Sequence, residues 1–130
     1  MLSGWIVVGS VSALISIALG AFGAHGLKEI LDEKALSVFH TAAQYQMYHA
    51  LALFGLGVLV TSIRTSLPTI ANSNYITFTG WAFTLGTILF SGSLYALAIT
   101  GIKILGAITP LGGLLFMAGW ISMIIMAFKS

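Results

Sequence analysis

The sequence contains no cysteine and very little charge. Zero cysteines in 130 residues excludes disulfides, thiolate metal sites, cysteine nucleophiles and lipid attachment through sulfur. Charged residues make up 6% of the chain, whereas a water-soluble domain carries about a quarter, so this chain cannot clothe a soluble globule. The basic residues Lys28, Lys34, Arg64, Lys103 and Lys129 are scattered. No run of like charge is present to track a phosphate backbone, and nucleic acid is excluded as a partner. What is plentiful is apolar: 58% of residues are hydrophobic and the mean hydropathy is +1.06. The length suits about four spans of ~20 residues joined by short loops.

Residues 2–24 carry no charge, a run longer than the ~7–15-residue core of a signal peptide, and they read as span one. A cleaved signal is the competing reading, because Gly20, Ala21 and Gly23 are small; no basic residue precedes the run, which counts against it. The stretch 25–34 holds five of the eight charges, with Leu27, Ile30 and Leu31 at helical spacing. It is expected to form a short amphipathic helix at the membrane surface. Asp32 is placed to cap the next helix, which is apolar from about residue 35 and read as span two over 38–63. Pro68 and the polar cluster 72–74 mark a loop. Spans three and four follow over 76–100 and 104–128, with a tight reversal at 101–103. The expected fold is all-α: a single transmembrane domain over 1–130, built as an integral membrane four-helix bundle with an interfacial helix between spans one and two, and without internal repeats.

Both termini and the loop at 64–75 then share one side, side A, while 25–34 and the Lys103 turn lie on side B. Arg64, Lys129 and the amino terminus on side A balance Lys28, Lys34 and Lys103 on side B, so the positive-inside rule gives a near tie. The orientation adopted is both termini cytoplasmic. Trp5, Tyr75 and Trp81 fall near side A, where amphipathic rings anchor helices among headgroups.

Helices in lipid associate through small residues and interhelical hydrogen bonds. Ser12, Ser16, Gly20 and Ala24 stand four apart on span one; Gly80, Thr84, Gly92, Ala96 and Thr100 share a stripe on span three. Together with Gly23, Gly112 and Gly113 these are the expected packing positions. The other unusual residues gather in the side-B half: His25, then His40, Gln44, Tyr45, Tyr48 and His49 on span two, Ser91, Ser93 and Tyr95 on span three, and Thr109 and Pro110 on span four. His40, Gln44 and Tyr48 follow at i, i+4 and i+8 on one face, with Tyr45 and His49 turned away from it. Pro110 is expected to kink span four and free carbonyls near Gly106 and Ala107.

The segments Gly20-Ala-Phe-Gly-Ala-His-Gly, Tyr45-Gln-Met-Tyr-His49, Phe90-Ser-Gly-Ser-Leu-Tyr95 and Thr109-Pro-Leu-Gly-Gly113, in this order and spacing, resemble the YgdD/YwdK-like family of small membrane proteins. That family is catalogued as domain of unknown function 423 and is related to the eukaryotic transmembrane protein 256. The resemblance covers nearly the whole chain. It implies a multi-pass protein of the bacterial plasma (inner) membrane with about four helices, and it brings no established reaction, cofactor or substrate.

Several functional readings compete on these residues. Three histidines invite haem, quinone or metal binding, yet no carboxylate or thiol shares their half of the bilayer interior, and no metal or cofactor is expected. Ser91 or Ser93 paired with His49 or His40 would need a third group to orient the imidazole, and none is present, so no catalytic residue is assigned. A transporter or channel for a small neutral or hydrophobic solute would use Thr109 and Pro110 facing Ser91 and Tyr95, but nothing polar continues that path to side A. The favoured reading is a noncatalytic accessory or scaffold protein. Its partners would be membrane lipids, a hydrophobic small molecule, a further copy of the chain or a larger membrane complex, bound through the side-B residues. On that reading Tyr48→Phe and His49→Ala would alter association and leave folding nearly intact.

Overall fold

Two polar caps and one glycine turn cut this apolar chain into its spans. The computed structural model describes residues 3–130; Leu2, taken as the first residue of span one, lies outside the described residues. Ser3 caps α1 (Gly4–Ile17), its hydroxyl accepting from the Trp5 amide at 3.3 Å. The helix continues through a π-helical segment, Ala18–Gly23, into the single turn α2 (Ala24–Leu27), so span one runs Gly4–Leu27. Asp32 takes the capping role expected of it, accepting from the Ala35 amide at 2.8 Å, and α3 then runs Glu33–Ile63, about 46 Å at 1.5 Å per residue. Pro68 opens the short α4 (Pro68–Ala71) before α5 (Asn74–Thr100). Gly101, at φ 70°, closes α5 in the left-handed conformation that side chains disfavour. A 3₁₀ turn (Lys103–Ala107) leads into α6 (Thr109–Lys129). Among the described residues four helices are thus long and apolar enough to cross a membrane.

Two expectations need correction. No amphipathic helix forms over 25–34: span one ends in one helical turn, residues 28–31 are turns and bends, and Glu33 already belongs to α3. Asp32 explains this, since its side chain starts the next helix and leaves too few residues for a separate one. Nor does Pro110 kink a helix, because α6 begins at Thr109 and places Pro110 in its first turn. A proline there gives up an amide that has no partner in any helix. Gly106 and Ala107 precede α6 in the 3₁₀ turn and are not carbonyls freed by a kink.

The principal interfaces are α1 on α3, α3 on α5 and α5 on α6, so α3 and α5 form the central pair. Span one is peripheral: 11% of its apolar window is buried against 39% for span two. Three apolar layers stack along the bundle. Leu56, Val60, Ile76 and Met126 pack at side A with Trp5 and Tyr75. Leu53, Phe83 and Phe116 fill the middle, and Ala24, Phe39 and Ala98 close side B against Tyr95 and Leu31. Outward-facing residues such as Leu14, 68% exposed, and Phe128, 88% exposed, meet lipid.

Close approach rests on glycine at several helix contacts, Gly9, Gly57 and Gly112 among them. A Cβ on Gly9 would stand 2.5 Å from the Phe54 amide nitrogen and 2.7 Å from the Ala50 carbonyl. One on Gly112 would run into the backbone of Phe90. The stripe on span one does face α3, since a Cβ on Gly20 would meet that of Ala43 at 3.3 Å and one on Gly23 the Phe39 ring at 3.2 Å. Gly80 receives the Trp5 indole. Gly92 departs from expectation: it is exposed, with nothing within 4 Å of its missing Cβ. Ala96 is half-buried and Gly113 only reaches the Phe90 ring at 3.9 Å.

Candidate functional site

Span two alternates between a face that enters the bundle and one that leaves it, and this divides the expected polar cluster. Phe39, Ala42, Ala43, Gln46, His49, Ala50 and Leu53 recur at helical spacing and are buried. His40, Gln44 and Tyr48 point out of the bundle, with Gln44 Nε2 donating to Tyr48 Oη at 2.5 Å. Tyr45 lies between the two sets, its ring 4.7 Å from that of Phe90 and 5.6 Å from that of Tyr48. His25 is also exposed.

The inward residues form a closed set of hydrogen bonds. His49 Nδ1 donates to the Tyr45 carbonyl at 2.9 Å, and Nε2 accepts from Trp120 Nε1 at 3.2 Å. A carbonyl only accepts and an indole N–H only donates, so these neighbours select the Nδ1–H tautomer. The ring also stacks on Phe116, centroids 3.5 Å apart and planes 6° from parallel. With both nitrogens engaged, the ring is held in one tautomer inside the bundle. Among the described residues no group of three His, Asp or Glu is placed to hold a metal ion.

Gln46 is the second hub. Its Oε1 accepts from Tyr95 Oη at 2.7 Å, and its Nε2 donates to the Ser12 carbonyl at 3.2 Å and to Ser12 Oγ at 3.4 Å, joining spans one, two and three. Ser16 and Ser91 reach adjacent carbonyls of α3 from its two neighbours, donating to Ala43 and Ala42 at 2.7 Å each. Ser93 and Thr109 meet at 2.6 Å, and Ser93 also donates to the Phe90 carbonyl. Neither serine meets an imidazole, so the nucleophile–base pair weighed above does not form. Among the described residues no buried side-chain nitrogen or oxygen lacks a partner, which hydrocarbon demands.

Sequence reasoning named Gln44 where Gln46 is the buried partner, and it passed over Trp120. The small residues Ala42, Ala43 and Ala50 around Gln46 were the available signal for the first, since small residues favour helix contacts in lipid. Nothing local marks Trp120, because its pairing with His49 spans 71 positions.

Spans one and three meet near side A, where Trp5 and Trp81 pack edge to face at 6.0 Å, and a groove separates them farther along. Its wider part, about 360 Å³, lies among Val7, Val11, Ser12, Gln46, Thr84 and Ile88. Its narrower part, about 270 Å³, continues past Gln46 to Leu19, Ser91 and Tyr95. The walls are aliphatic and the floor is Gln46 with its hydrogen-bond partners.

Four membrane-crossing helices around an internally paired polar core define a small multi-pass membrane protein. The chain belongs to the DUF423 family of proteins of unknown function, whose match covers residues 19–113. It is 50% identical to a UPF0382 membrane protein of Staphylococcus haemolyticus over 96% of this chain and 95% of that one. It is 47% identical to the UPF0382 membrane protein YwdK of Bacillus subtilis over 96% of each, and 46% identical to a UPF0382 membrane protein of Staphylococcus saprophyticus over 96% of this chain and 97% of the other. No solved structure matches it. With these relatives and its four spans, it is a multi-pass bacterial membrane protein.

Proposed function

We propose that the protein is a noncatalytic accessory protein that holds a lipid or other hydrophobic small molecule in the groove between spans one and three. The observation that carries this reading is the groove itself. Its aliphatic walls suit a chain taken from the bilayer, and its floor, whose protons are already given to the protein, offers the remaining acceptor lone pairs of Gln46 Oε1, Tyr95 and the threonines to a single hydrogen-bond donor on that chain. A transport path draws less support, because Ser93, Thr109 and His49 lie outside the lining of the groove, which gives way toward side A to the Trp5–Trp81 contact.

Photolabelling in nanodiscs with a diazirine-bearing acyl phospholipid tests the proposal. Labelling is expected to concentrate on Val11, Ile15 and Ile88, and to fall in Thr87→Trp, whose indole would fill the groove. Uniform labelling over all lipid-exposed positions would sink it, and saturable solute flux in vesicles would move the weight to transport.

A further inference from the structure

We propose that His25, Lys28 and His40 form a binding site for the phosphate of an anionic phospholipid on side B. Span one delivers His25 and Lys28 at its end, and α3 delivers His40 two turns after its start; the three line one pocket of about 290 Å³. The rest of its lining is Gly20, Ala21, Ala24 and Leu36, small or apolar residues that leave room for a headgroup. Gly20 and Ala21 belong to the π-helical segment, a wider turn of a kind often retained at functional sites.

Charge selects the ligand's sign. Glu29, Asp32, Glu33 and Lys34 are the other charged groups on the connecting turn and at the start of α3, and no carboxylate lines the pocket. Asp32 is committed to the Ala35 amide. The larger side-B pocket of about 600 Å³, between Lys34 and Lys103, is lined by Asp32 and suits an anion less well.

Depth selects a lipid over a free anion. From His40 the exposed residues Gln44 and Tyr48 descend the outer face of α3, about 6 Å per step. Polar side chains facing hydrocarbon are rare, and here they lie below the phosphate site, within reach of the glycerol esters of a lipid anchored there. A free phosphate would use none of them. This pocket lies apart from the groove between spans one and three, and the inference does not need that groove.

The test is native mass spectrometry of the full chain released from nanodiscs of equal phosphatidylglycerol and phosphatidylcholine. Preferential retention of phosphatidylglycerol is expected. Lys28→Gln should lower that preference about fivefold, the effect of one cation at a membrane surface. The double variant His25→Gln/His40→Gln should lower it further, while Lys28→Arg and Lys103→Gln retain it. Helicity by circular dichroism checks that each variant folds; all four positions are exposed, so folding should persist. Equal retention of the two lipids, or no response to Lys28→Gln, would overturn the site. Displacement of the lipid by millimolar inorganic phosphate would reassign it to a free anion, and a dimer without bound lipid would reassign the face to a second copy.

Discussion

The Trp120 indole donates its proton to Nε2 of His49 at 3.2 Å, joining span four to span two across the interior. His49→Phe would keep much of the stacking on Phe116 but strand the indole N–H in hydrocarbon, and Trp120→Phe would strand Nε2. Each substitution should cost about 1 kcal/mol, the scale of one interhelical hydrogen bond in a membrane. If the pair acts as a unit, the double variant should cost less than the sum of the two. Reversible unfolding in mixed micelles reads all three, and strictly additive losses would show that the bond carries no energy. The expectation that His49→Ala spares folding is therefore revised, whereas Tyr48→Phe, on the exposed face, should change stability by under about 0.5 kcal/mol.

Gly9 and Gly92 separate glycine used for packing from glycine merely present. Gly9→Ala drives a methyl into the backbone of α3 near Phe54 and should destabilise by about 1–3 kcal/mol. Gly92→Ala meets open space, and the gain in helix propensity should make it neutral or stabilising by up to about 1 kcal/mol. Thermal unfolding in detergent orders the two; equal effects would contradict the packing of α1 on α3.

Tyr95→Phe removes the donor to Gln46 Oε1 and leaves that oxygen beside the groove without its partner. A loss of about 0.5–1.5 kcal/mol is expected, the range of membrane hydrogen bonds. Gln46→Leu should cost more, because Ser12 loses its contact as well. Unfolding titrations that rank the two in the opposite order would argue against Gln46 as the hub.

Pro110 in the first turn of α6 predicts that Pro110→Ala changes stability by under about 1 kcal/mol, since no interior bond is gained or lost. A proline kinking mid-helix would respond far more. Gly101→Ala at φ 70° should instead cost about 1 kcal/mol through left-handed backbone strain. Both are read by chemical unfolding followed by helicity.

Much of the fold was legible because its causes are local. Uncharged runs longer than twenty residues, the Asp32 cap and the turn at Gly101 need only nearby residues to define them. The interfacial helix and the Pro110 kink were misread where two local signals competed: Asp32 starts a helix as readily as 25–34 forms one, and a proline opens a helix as well as bending it. The candidate site was legible in part. Ser91, Tyr95 and His49 are buried or half-buried and bonded as polar residues in hydrocarbon must be, whereas His40, Gln44 and Tyr48 share their depth but face outward.

By itself the sequence determined the solvent and the number of crossings, because hydrophobic length and charge are summed along the chain and require no partner. Only the tertiary structure decided which face of each helix turned inward. In a bilayer both faces of a span are apolar, so periodicity does not distinguish lipid from protein. That choice fell to the contacts of Gly9 with α3 and Gly112 with α5, to the serine bonds onto α3, and to His49 meeting Trp120.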